Sequence, residues 1–297
     1  MRKTVFQISA AFVILAFVSG FASGAAAVGG PQLSQANGVA SVKTDQATIS
    51  VTGGDNVPFY HIQHNGSNTN YLVKFSDMQE FVDKNNDGMF QPNEAVAQGT
   101  TQFPGLGWQF SNFVTTNDSN NNIQNIDFNF THAATSSVTG STPMIGLYNH
   151  INVTAGNQIK FDIAVGQYTW QSTNASAKLA IKIQVAGGNL SAGTGNDLTF
   201  GNAYFNTVTS AQSNGADINV ATQVSTGSSF YIIVDHFNGN FTLDPLFGVN
   251  SASSTSTGSG STSSSSSTSS TKSAGLELLP ILGGFAVLGL VMTKKRK

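Results

Sequence analysis

The sequence predicts an all-β ectodomain, an antiparallel β-sandwich of the jelly-roll or immunoglobulin-like kind, and three observations carry that prediction. The apolar residues recur every second position rather than every 3.6. Gly, Asn, Asp and Ser clusters break the chain at short intervals, as turns require. Outside the two termini, no stretch of twelve residues carries helical periodicity. A barrel is the alternative arrangement of such strands.

The elements follow in order. The alternation is clearest at Ile126, Phe128 and Phe130, at Ile159, Phe161 and Ile163, and at Leu179, Ile181, Ile183 and Val185. Polar residues such as Asp127, Lys160, Asp162 and Lys182 fill the intervening places, which reads as half-buried strands. Strands are predicted over 47–52, 71–75, 107–113, 123–130, 144–153, 159–164, 178–185, 203–208, 218–224 and 230–237. The 21 phenylalanines of the chain, at strand spacing, are first of all core filler.

The ends differ in kind from the middle. Arg2 and Lys3 precede an apolar run over 5–21, and a small-residue tract leads to Ala27. Basic, then apolar, then small is the order of a secretory signal peptide, here residues 1–27. Residues 251–273 are almost wholly Ser, Thr and Gly. Such a tract buries too little apolar surface to offset chain ordering, and it reads as a disordered stalk. Residues 274–297 close with an apolar segment over 278–292 followed by Lys294, Lys295, Arg296 and Lys297. The basic cluster places the C-terminus inside and the bulk of the chain outside a membrane. Fifteen residues span roughly 22 Å, against about 30 Å of hydrocarbon. A permanent single-pass anchor and a sorting tail removed after export both fit. The remaining residues, 28–250, are the ectodomain.

There is no cysteine, which excludes disulfides, thiol redox chemistry and cysteine-bound metals. Residues 28–250 hold six lysines and no arginine against twelve Asp and two Glu, a balance of −8. That surface has no electrostatic footprint for nucleic acid and suits cations. Seven Asn-x-Ser/Thr sequons lie at Asn65, Asn117, Asn129, Asn152, Asn174, Asn189 and Asn240, so an exported glycoprotein is expected.

One stretch carries metal chemistry. Residues 83–94 match D-x-[DN]-x-[DN]-G-x5-E at every constrained place. Asp83, Asn85 and Asp87 offer side-chain oxygens at alternate positions, and Gly88 permits the sharp turn round an ion. The Met89 carbonyl points inward, Gln91 ligates directly or through water, and Glu94 closes the shell with both oxygens. The predicted cofactor is calcium, bound with a dissociation constant of about 10⁻⁴–10⁻³ M, as in extracellular modules. Phe90, at loop position eight, is the residue that ties such a loop to its neighbour, yet no second loop is present. Residues 76–82 read as a short entering helix capped by Ser76, with Met78, Phe81 and Val82 on its apolar face.

No enzyme signature accompanies the loop. G-x-S-x-G in a strand–helix context, a helical H-E-x-x-H and a phosphate loop are all absent. His61 and His64 are three apart in strand-like sequence and so face opposite ways. Asp127, Asp162 and Asp235 alternate with apolar residues and are expected to face solvent. A carbohydrate-binding platform would draw on Trp108, Trp170, Tyr60 or Tyr204.

The run from Glu80 through Gly88, with Phe75 before it and Trp108 after, resembles a set of uncharacterised archaeal cell-surface proteins. In these a segment like His236-Phe237-Asn238-Gly239-Asn240-Phe241, with Asp244-Pro245 and Gly248-Val249 after it, closes the domain. The signal peptide, stalk and Lys/Arg-ended helix are similar to theirs. In place of a Pro-Gly-Phe tripeptide before the helix, this chain has Gly275-Leu276-Glu277-Leu278-Leu279-Pro280. The resemblance implies surface location and brings no activity. The expected function is that of a non-enzymatic, membrane-anchored structural or adhesive surface protein whose partners are the membrane and other surface proteins or glycans. A carbohydrate-binding module and a tethered hydrolase are the alternatives.

Overall fold

A computed structural model describes residues 30–36, 39–52, 57–137 and 140–250. The segments read above as a signal peptide (1–27), a stalk (251–273) and an anchor or sorting tail (274–297) lie outside the described residues. Among those described, no helix is long and apolar enough to cross a membrane.

The described residues are all-β and antiparallel. The first strands are β1 (Gln32–Ala36), β2 (Val39–Lys43), β3 (Ala47–Thr52), β4 (Phe59–His64) and β5 (Tyr71–Val82). A single 3₁₀ turn, Pro92–Glu94, precedes β6 (Ala95–Gln102), β7 (Gln109–Phe110), β8 (Val114–Asn117) and β9 (Ile123–His132). Then come the small β10 (Thr135–Ser137) and β11 (Gly140–Thr142), followed by β12 (Met144–Asn152), β13 (Gln158–Gly166) and β14 (Ala177–Ala186). The short β15 (Leu190–Ala192), β16 (Asp197–Phe200), β17 (Ala203–Asn206) and β18 (Ser210–Ser213) lead to β19 (Ala216–Thr226) and β20 (Ser229–Val234). β21 (Phe241–Leu243) and β22 (Leu246–Val249) end the series.

Twenty of these strands form one continuous sheet, and β10–β11 is a separate hairpin. One run of neighbours is β1-β2-β3-β4-β5-β14-β20-β19. A second is β8-β9-β12-β13-β22-β17-β16-β15. β19 belongs to both regions: Ala216–Asn219 pair with β18, and Val220 onward pairs with β20. Aromatic rings from the two runs meet in the core. Phe161 on β13 stacks on Tyr60 of β4 at 5.2 Å and meets Phe75 of β5 edge-on at 5.7 Å. Phe205 on β17 touches Phe230 of β20 at 5.0 Å. All of these rings are fully buried.

Each predicted strand is present, 47–52 with its bounds unchanged and the others with changed bounds. The stretch 107–113 shrinks to β7, because Gly105 and Gly107 take φ of +83° and +69° and turn the chain. Trp108, directly after Gly107, is buried, and its Nε1 donates to the Phe103 carbonyl at 3.0 Å.

The entering helix expected over 76–82 is absent: those residues continue β5. Phe75 pairs with Ile183 and Asp77 with Lys182, so Ser76 is an extra residue, a β-bulge. The bulge moves the inward places from Tyr71, Val73 and Phe75 to Met78 and Glu80. Gln79 and Phe81 are buried too, on the opposite face. Phase reversal plus two-sided burial imitates a helical apolar stripe in the bare sequence.

Glu80 has a role that the bulge creates. Its side chain is fully buried, and its carboxylate accepts the Ser172 N–H at 2.6 Å and the Gln171 N–H at 2.8 Å. The Tyr168 hydroxyl donates to it at 3.4 Å, and burial followed by the Glu80 charge pushes that hydroxyl well above its ordinary range. The carboxylate thereby fixes the segment after β13, including Trp170, which stacks on His236 at 4.5 Å. Glu80→Gln replaces one acceptor oxygen with a donor. Chemical denaturation should show a loss of about 2–4 kcal/mol, from two charge-assisted bonds.

His61 supplies a pH prediction. Burial holds its pKa below 6.5. The unfolded state therefore binds more protons in mild acid, and stability falls as the pH drops through the unfolded value. Between pH 7 and 5 the melting temperature of the parent should fall further than that of His61→Gln.

Candidate metal centre

β5 delivers Asp83 to the head of a loop that folds back over the sheet face opposite the main core. On that face Phe81 of β5, Ala180 of β14 and Ile233 of β20 form a second small core. Phe90, from the middle of the loop, caps it, with its ring 5.3 Å from Phe81 and 5.0 Å from Tyr231 of β20. The loop is thus built against three strands, β5, β14 and β20, rather than between two helices.

The loop turns where its sequence allows. Asn86 takes φ of +56° and Gly88 takes +75°, both left-handed. Its two ends are buried carboxylates, Asp83 at 5% exposure and Glu94 at 3%. Asp83 Oδ2 accepts the Gly88 N–H at 3.0 Å, and Glu94 Oε1 accepts the Lys84 N–H at 3.0 Å. The other oxygen of each, Asp83 Oδ1 and Glu94 Oε2, is buried without a hydrogen-bond partner. A buried carboxylate oxygen lacking a donor is costly, and a cation relieves that cost.

The remaining oxygens lie between the ends. Asp87 Oδ1 accepts the Met89 N–H at 2.8 Å. Its Oδ2 accepts the Gln91 and Asn85 amides at 2.7 and 2.8 Å. The Met89 N–H chiefly holds the Asp87 carboxyl below the usual range, and the two amides assist. Asn85 Oδ1 accepts the Asp87 N–H at 3.2 Å. The Met89 side chain is exposed, and the motif assigns its backbone carbonyl, not the side chain, to the donor set. The structure therefore brings Asp83, Asn85, Asp87, Gln91 and Glu94 into one closed loop, cross-linked by its own amides. Rotating the Asn85 and Gln91 amides turns oxygen in place of N–H₂ towards Asp87. Among the described residues, no group of three or more His, Cys, Asp or Glu side chains converges at metal-holding distance. An ion here would need the amide and backbone oxygens as well.

Sequence reasoning missed Lys178. Its Nζ lies 2.6 Å from Asp235 Oδ1 and 3.8 Å from Asp83 Oδ2, so a resident cation already faces the first loop carboxylate. The register explains it: Lys178 on β14 is opposite Phe81 on β5, two residues before Asp83.

No protein-family model matches the chain, and no curated protein matches it.

A second polar group lies on another sheet face. His150 Nδ1 sits 2.7 Å from Asp127 Oδ1, and its Nε2 lies 3.4 Å from Asp162 Oδ2. Lys160 continues the row to Asp162 at 3.6 Å and Asp244 at 3.1 Å. The expectation that Asp127, Asp162 and Asp235 face solvent holds only in part. They are 27–36% exposed, and each is engaged with a cation or histidine. Strand register sets these groups side by side, since Asp127, His150 and Lys160 are direct partners across β9, β12 and β13. Linear spacing gave no sign of it. A shallow open pocket of about 450 Å³ lies over the row.

The aromatic platform loses two of its members. Trp108 and Tyr60 are buried in the core. Trp170 is half-buried, with its Nε1 donating to the Phe237 carbonyl at 2.8 Å, and the Tyr204 hydroxyl donates to Gln158 at 2.9 Å. His61 and His64 do not share a site: β4 alternates between them.

Proposed function

We propose that this chain is an exported, non-enzymatic surface protein of structural or adhesive role, whose 83–94 loop binds one calcium ion. One observation carries the metal reading: the two ends of a loop that matches a calcium motif are buried carboxylates, each with an oxygen that has no hydrogen-bond partner. Calcium takes six to eight oxygen ligands, including backbone and amide carbonyls, and so suits a donor set with only three carboxylates. The ion would neutralise Asp83, Asp87 and Glu94 and fasten the β5–β6 connection to the sheet. Its role is structural, because the loop is rooted at both ends in long strands.

The proposed architecture is a β-sandwich, its layers being the two runs of strands whose rings meet around Phe161. Export by residues 1–27 and attachment by residues 274–297 complete the reading. The resemblance to archaeal surface proteins and the acidic ectodomain support it. Cell fractionation with and without the last twenty residues tests attachment: the shortened chain should leave the membrane for the medium. Retention of the shortened chain on the membrane would count against a C-terminal anchor.

The sequons differ in fitness. Asn189 and Asn174 are exposed, whereas Asn65 is half-buried and its Nδ2 donates to the Thr44 carbonyl at 2.9 Å. Asn129 is half-buried, and Asn117, Asn152 and Asn240 are exposed. Glycopeptide mass spectrometry of the exported chain should find glycan on Asn189 and Asn174, with Asn65 bare.

A further inference from the structure

We infer that Gln223, on β19, stands in for the missing partner loop and sets the calcium affinity of residues 83–94 without touching the ion. The inference rests on the calcium reading above. Phe90 is loop position eight, and its backbone offers one N–H and one C=O that point away from the ligand set. Left alone on the protein surface, both would depend on water. Here the Phe90 N–H donates to Gln223 Oε1 at 2.7 Å, and Gln223 Nε2 donates to the Phe90 carbonyl at 3.1 Å. A primary amide carries the same donor and acceptor as a peptide group. One side chain from 133 residues further along the chain therefore supplies the two-bond bridge that a neighbouring strand would give.

The bridge is part of a rigid seat. Gln223 pairs directly with Tyr231 in the β19–β20 register, and Tyr231 packs on the Phe90 ring. The backbone of Phe90 is thus held by β19, and its ring by β5 and β20. On either side of Phe90 are two proposed ligands, the Met89 carbonyl and Gln91. Fixing the peptide between them orients both before an ion arrives, which lowers the ordering cost of binding. Gln223 is a positioning residue: its oxygen is committed to the Phe90 N–H.

The test uses the full-length chain in detergent, stripped with a chelator, with terbium as the luminescent probe and calcium as competitor. Terbium is excited through nearby aromatic residues. The parent should give a saturable signal that calcium displaces. Gln223→Met keeps the side-chain length without the amide, and Gln223→Asn keeps the amide but falls one carbon short. Both should bind about tenfold more weakly, as expected from two hydrogen bonds lost at about 1 kcal/mol or less each. Their melting temperatures in chelator should stay within a few degrees of the parent, because β19 remains paired through its backbone. Parental affinity in both variants, with binding abolished by Glu94→Gln, overturns the role of Gln223 and leaves the calcium site standing. An absence of any calcium-displaceable signal in the parent overturns both.

Discussion

Ten millimolar calcium should raise the thermal midpoint of the chelator-stripped protein by roughly 3–10 °C, and Glu94→Gln should remove the rise. The size follows from mass action. At a dissociation constant of about 10⁻⁴–10⁻³ M, that concentration stabilises the folded state by about 1.4–2.7 kcal/mol. For a domain of this size each kcal/mol moves the midpoint by about 2–4 °C. The loop's own geometry explains why the change is concentrated at Glu94. Its Oε1 closes the loop through the Lys84 N–H, while Oε2 is buried without a partner. In Glu94→Gln a single amide oxygen must serve both ends, and one negative charge is gone. The variant should also be less penalised than the parent in chelator, since it buries one uncompensated carboxylate fewer, Asp83 alone remaining in the loop. Magnesium is the informative control. It demands a small octahedral shell and retains water, so it should reproduce little of the shift.

Phe161→Ala should cost about 3–5 kcal/mol, lowering the midpoint by roughly 6–20 °C. Phe161 is where the two runs of strands meet: Tyr60, Phe75 and Phe205 all surround its ring, the last at 5.8 Å. Truncation leaves a hole between these rings, and strands paired on both sides cannot close it. The comparison is Phe113→Ala. Phe113 also contacts two rings, Phe110 and Phe128, but it is half-buried at the margin of the core. Its loss should cost well under half as much. Equal costs at the two sites would argue against a core centred between the runs. Thermal or urea unfolding of the three proteins decides.

The legible parts of this fold were those where chemistry is local. Alternation at Ile126–Phe128–Phe130 identifies a strand because one face is buried and the other is partly exposed. The bulge at Ser76 broke that rule, and the helix reading of 76–82 failed there. β6 hid for a different reason: its pattern is mostly exposed, and its pairing to β5 has no apolar period to announce it. The 83–94 loop was legible as a closed turn, since the motif places Gly88 and the oxygens that its own N–H groups use at fixed spacing. The groups that complete its setting were not. Lys178, Gln223 and Tyr231 reach it from β14, β19 and β20, and only strand register puts them there. The same holds for the row from Asp127 through His150 to Lys160, which no linear spacing predicts.

Crystals grown with calcium show whether the 83–94 loop holds the ion. One anomalous peak is expected inside residues 83–94, with oxygens of Asp83, Asn85, Asp87, Met89, Gln91 and Glu94, or a water on Gln91, at about 2.3–2.6 Å. The Gln223 amide should still bridge Phe90. A loop that keeps its Asn85–Asp87–Gln91 amide cross-links in millimolar calcium, with no peak between Asp83 and Glu94, would contradict calcium binding there.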